Sequence, residues 1–158
     1  MEYIIYFLIT CIFIRIAYVD YKEHVIYDRD TLLAFVFILI SKYFTGHLLD
    51  SFIFCGVGLA IGFVIFLIAY KYYGFEAFGL GDVFLLGVLG LFFSQDFLNY
   101  LSLSLMVSGY LVILLIPFMG YKRVCQIEMP MAPLLLAWVP IFLLLGKPSI
   151  IHLLQGFI

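Results

Sequence analysis

The chain has 158 residues, 66% of them hydrophobic and 11% charged, with a formal net charge of −2 and a mean hydropathy of +1.23. Soluble domains average about 45–50% apolar and about 25% charged residues, so a water-soluble fold is excluded, and the charge balance leaves no basic footprint for nucleic acid. Apolar segments recur over the whole length, which predicts a single membrane-embedded all-α domain spanning 1–158.

A transmembrane helix needs about 17–25 apolar residues. On that basis six spans are predicted, at roughly 3–19, 31–45, 51–70, 83–95, 97–118 and 129–146. Met1-Glu2-Tyr3 offers no basic region ahead of the first apolar run and no small-residue cleavage site follows it, so that run is read as a retained helix. Lys42 interrupts the second span and is expected to snorkel to the interface. Gly58 and Gly62 in the third span, with Gly87 and Gly90 in the fourth, are expected to let helices pack closely. The fourth span is the shortest, confined between Asp82 and Asp96. Residues 147–158 are too short to cross and are read as an interfacial tail.

Lys22, Arg29, Lys71, Lys122 and Arg123 fall in the first, third and fifth connections with Arg15 nearby, against Lys42 and Lys147 on the other side. The positive-inside rule then places those connections in the cytoplasm and both termini outside. Asp20, at the end of the first span, and Asp82, at the start of the fourth, fall on the same cytoplasmic face. A carboxylate at the mouth of an apolar segment is costly to bury unpaired and marks a candidate functional site. Gly79 and Gly81 precede Asp82 and are expected to supply positive φ and close backbone approach. Asp82 is also a candidate N-cap. Glu23, Asp28 and Asp30 sit in a charged run and read as solvated surface charges, with Asp30-Thr31 a candidate cap for the second span. Cys11, Cys55 and Cys125 form no C-x-x-C pair, and His24, His47 and His152 lack ligand spacing, so no metal or cofactor is assigned.

Three blocks of this chain resemble the type IV prepilin peptidase family, whose relatives include the archaeal preflagellin peptidases. The family's first motif is an Asp followed six residues later by Ile-Pro and Asp or Asn; here Asp20 precedes Ile26-Tyr27-Asp28. Its second is similar to Glu-x-x-Gly-x-Gly-Asp-x-Lys-Leu, and this chain reads Glu76-Ala77-Phe78-Gly79-Leu80-Gly81-Asp82-Val83-Phe84-Leu85. Its third, Ile-Pro-Phe-x-Pro, is matched by Met129-Pro130-Met131-Ala132-Pro133. Tyr27 stands where the family has proline, and Phe84 where it has lysine. The resemblance implies an aspartyl endopeptidase with Asp20 and Asp82 as the catalytic pair and Gly79, Gly81, Glu76, Pro130 and Pro133 as supporting motif positions. It also implies a form without the cysteine-rich, N-methylating region of longer members.

Two close carboxylates in a low-dielectric setting share a proton, so one activates water while the other polarises the scissile carbonyl, and neither metal nor covalent intermediate is needed. By the same resemblance the partner is a prepilin or pseudopilin precursor, with a basic leader and a hydrophobic helix that packs within the bilayer. Glu23 and Asp28 are candidates for meeting the leader on charge alone. Two alternatives stay open. Tyr27-Asp28 with Gly79-Leu80-Gly81-Asp82 also resembles the presenilin and signal-peptide-peptidase pattern, and a non-catalytic assembly or transport protein could use both aspartates as caps or cation ligands.

Overall fold

The computed structural model describes residues 2–73, 79–119, 131–137 and 139–140. All its regular elements are helical: α1 (Glu2–Glu23), α2 (Asp28–Thr45), α3 (Leu48–Tyr73), α4 (Leu80–Phe93), a 3₁₀ turn (Ser94–Asp96), α5 (Phe97–Met119) and the short α6 (Met131–Leu136). Three stretches are long and apolar enough to cross a membrane: Ile4–Glu23, Leu48–Tyr72 and Leu80–Tyr110, the last running through the 3₁₀ turn. The chain is thus an all-α membrane protein. The second predicted span is helical as α2, but Asp28, Arg29, Asp30 and Lys42 leave it short of that apolar standard. The predicted span 129–146 and the tail 147–158 lie largely outside the described residues.

α4 is the hub. From Val83 to Phe93 every side chain on it is buried except Phe84, which is 53% exposed. The surrounding helices bury one stripe each and leave the rest apolar, as a bilayer permits. On α1 the buried stripe is Ile9, Phe13 and Ile16, while Ile4, Phe7, Leu8, Ile14, Tyr18 and Tyr21 stay exposed. The ring of Phe92 meets Phe13 and Tyr6 of α1 edge-on, at centroid separations of 5.6 and 6.0 Å.

Contact between α3 and α4 is set by the four glycines that the sequence marked for packing. A Cβ added at Gly87 would lie 2.7 Å from Cδ2 of Leu59, and one at Gly62 would lie 3.0 Å from Cα of Val83. At Gly58 and Gly90 it would run into the carbonyls of Leu86 and Phe54. The two backbones therefore touch, which only residues without a side chain allow.

α4 is brief for a membrane helix: 14 residues rise about 21 Å, against about 30 Å of hydrocarbon. Its far end is closed by polar side chains. Lys42 does not snorkel outward; its Nζ donates to Ser94 Oγ at 2.9 Å, and Ser94 Oγ lies 2.7 Å from Ser51 Oγ. A cation beside the last turn of α4 opposes that helix's C-terminal dipole. Beyond the turn, Tyr100 stacks on Phe93 at 3.9 Å, and its hydroxyl donates to the carbonyl of Leu135. Ser104 donates to Leu134 O at 3.2 Å, so α5 and α6 are joined by side-chain hydroxyls.

Candidate active site

Asp20 continues the buried stripe of α1. It lies four residues beyond Ile16, on the same helix face, and is only 6% exposed. Its Oδ2 accepts a hydrogen bond from the N–H of Ala132 at 2.9 Å. Ala132 stands in the first turn of α6, where N–H groups have no intrahelical partner, and Pro133 beside it has none to give. The third sequence block thus reaches Asp20 through its backbone, at a separation of 112 residues.

Asp82 is built into the start of α4. Gly79 is the N-cap, with φ −87° and ψ 159°, and Asp82 is the third helical residue rather than the cap itself. Its Oδ2 accepts from the Gly79 N–H at 3.0 Å, while its own N–H donates to Gly79 O at 3.1 Å. The bond to Oδ2 is the N3 side-chain half of a capping box, and glycine has no side chain to supply the other half. The expectation of positive φ at Gly79 and Gly81 is not met: among the described residues Gly46 is the only glycine in that region. What Gly81 supplies is room, since a Cβ there would lie 3.0 Å from Cβ of Ile26. The loop between α1 and α2 thereby seats on the first turn of α4.

Through these contacts the ends of α1, α4 and α6 that carry Asp20, Asp82 and Ala132 converge. Glu23 and Asp28 are exposed on the same loop. Glu23 accepts a hydrogen bond from the Tyr27 hydroxyl at 2.8 Å, which holds that phenol's proton on and raises its pKa above the ordinary value. Asp30 corrects the reading of a solvated charge: it is 4% exposed. Its Oδ2 lies 3.2 Å from Arg15 Nε as a charge contact rather than an aligned hydrogen bond, and Arg29 Nε lies 3.8 Å from Oδ1. Nor do Asp30 and Thr31 cap α2, whose N-cap is Tyr27. Glu76 and Pro130 lie outside the described residues. Among the described residues no group of three His, Cys, Asp or Glu is placed to hold a metal ion.

Sequence reasoning missed Ile26, Ala132 and the Arg15–Asp30 pair. Ile26 and Ala132 act through a Cβ and a backbone N–H, which carry no residue-type signal. Arg15 lay five residues from Asp20 and was weighed only for orientation.

Fold and site together define a helical membrane protein with two carboxylates gathered at one end of its bundle. A sequence profile of the type IV leader peptidase family matches residues 6–146. The match covers most of the chain, which therefore belongs to the type IV leader peptidase family. No curated protein and no solved structure gives a significant match.

Proposed function

We propose that this protein is an aspartyl endopeptidase that removes the N-terminal leader of prepilin-like precursors at the cytoplasmic face of the cell membrane. The observation that carries the reading is the convergence of the helix ends bearing Asp20 and Asp82, each carboxylate with one oxygen held by a backbone N–H. Fixed in this way, each carboxylate keeps its second oxygen for water or substrate.

With one carboxyl protonated and the other ionised, the ionised group takes a proton from a bound water, whose oxygen attacks the scissile carbonyl carbon. The protonated group hydrogen-bonds the carbonyl oxygen as negative charge develops there. Collapse of the tetrahedral intermediate breaks the C–N bond, and the proton taken from water is delivered to the leaving amine. The pair acts as a unit, so neither aspartate is assigned the opening role. The precursor's hydrophobic helix lies beside the bundle in lipid, and its basic leader approaches the loop that carries Glu23 and Asp28. The cytoplasmic placement rests on the distribution of Lys and Arg.

Asp20→Asn and Asp82→Asn, each expressed with a pilin precursor, are expected to abolish leader cleavage while protein levels stay unchanged. Asp28→Asn is expected to retain it, since Asp28 is an exposed first residue of α2. Normal processing by either of the first two variants would refute the paired-aspartate mechanism.

A further inference from the structure

The segment joining α1 to α2 does more than connect them. α1 ends at Glu23, and His24 turns the chain with φ 53°, its N–H donating to Asp20 O at 2.9 Å. Three residues later Tyr27 starts α2 as its N-cap, and its carbonyl accepts from the N–H groups of Asp30 and Thr31 at 3.0 and 3.3 Å. Between the two lies Ile26, whose Cβ is the nearest atom to the position a side chain at Gly81 would take. The turn is therefore the physical link between the helix end bearing Asp20 and the helix start bearing Asp82.

Nothing covalent fixes this turn. Tyr27 has φ −77° and ψ 125°, inside the range a pyrrolidine ring imposes, and it holds an N-cap position whose N–H the helix does not use. One side-chain contact crosses the turn: the Tyr27 hydroxyl donates to Glu23 Oε2 at 2.8 Å, spanning from the start of the second helix back to the last residue of the first. Tyr27 is 48% exposed, and its hydroxyl makes the one directional contact across the turn.

We propose that Tyr27 is a positioning residue for the aspartate pair: by binding Glu23 it closes the 24–27 turn, seats Ile26 on Gly81 and so sets Asp20 against Asp82. This rests on the leader-peptidase reading for its catalytic consequence, though not for its structural one. The hydroxyl does by hydrogen bonding what a proline at this position does by ring closure.

Two variants separate this from a general structural role. Tyr27→Phe removes only the hydroxyl, and Tyr27→Pro removes the hydrogen bond but presets the observed φ. An exposed hydrogen bond of ordinary strength governs a closing equilibrium by about two- to tenfold. Tyr27→Phe is accordingly expected to lower kcat for precursor cleavage by at most about tenfold with KM unchanged, and Tyr27→Pro to restore at least half of the loss.

The turn is read independently of any substrate by the labelling rate of a thiol at position 26. Ile26→Cys keeps the Cβ that meets Gly81, in full-length protein whose Cys11, Cys55 and Cys125 are replaced by serine. Labelling is expected to speed up in Tyr27→Phe by the factor that, multiplied by the fall in kcat, gives the about two- to tenfold change in the closing equilibrium, and to return toward the parent rate in Tyr27→Pro. Parent-like labelling and cleavage in Tyr27→Phe would overturn the proposal. So would lost cleavage with unchanged labelling, which would place the hydroxyl in contact with substrate instead. If labelling behaves as expected but the unmodified protein cleaves no precursor, the turn stands and the leader-peptidase reading fails.

Discussion

Gly58→Ala perturbs the interface on which the position of Asp82 depends. The added Cβ would meet the carbonyl oxygen and carbon of Leu86, backbone atoms of α4 that cannot rotate away as a side-chain tip would. α3 and α4 must separate to admit it. Overpacking of this kind costs about 1–3 kcal/mol, and the upper end applies because both surfaces are helix backbone. Gly56, two residues earlier on the same helix, has nothing within 4 Å of its added Cβ. Gly56→Ala should therefore return only the intrinsic preference of alanine over glycine, a gain of about 0.5–1 kcal/mol. The two variants make the same chemical change on one helix, so alanine's intrinsic preference cancels between them and the gap is the overpacking cost, about 1–3 kcal/mol. Thermal unfolding in detergent micelles, followed by helical circular dichroism, measures this directly. A Gly58→Ala protein that melts at or above the parent would refute the claim that these backbones touch. Gly62→Ala presses on Cα of Val83, the neighbour of Asp82, at 3.0 Å. It should cost activity beyond its cost in stability.

Arg15→Leu leaves the buried Asp30 carboxylate with only the more distant Arg29, 3.8 Å away, and is expected to destabilise the protein by about 1–3 kcal/mol, discounted because the Arg15 side chain is 57% exposed. Arg15→Leu combined with Asp30→Leu should recover most of that loss, which a double-mutant unfolding cycle would detect as strong coupling; additive losses would argue against the pair. His24 adopts φ 53°, where a β-branched side chain is strained. His24→Val should lower stability by about 1–2 kcal/mol while His24→Gly leaves it nearly unchanged, and equal melting temperatures for the two would contradict the backbone assignment.

The sequence by itself determined what depends on composition and local spacing. Its hydropathy required a membrane protein, and satisfying every backbone group in lipid required helices. The glycines at 58, 62, 87 and 90 were legible as a packing surface because small residues have few other uses in an apolar helix. Asp20 and Asp82 were legible as candidates because polar residues are rare enough in this chain to stand out, and the proline-flanked block through the family resemblance alone.

Tertiary structure decided the rest, because it depends on which atoms meet across long separations. Nothing local shows that the N–H of Ala132 reaches Asp20, or that Gly81 is needed for Ile26 rather than for positive φ. Asp30 reads as one more charge in a polar run, yet the packing of α2 on α1 buries it beside Arg15. Lys42 reads as a residue bound for the interface, yet Ser94 and Ser51 meet its end of α2 and draw it inward. Each of these departures has the same origin. A charged side chain goes wherever the assembled helices offer the best partner, and that choice is made by three-dimensional contact rather than by neighbours along the chain.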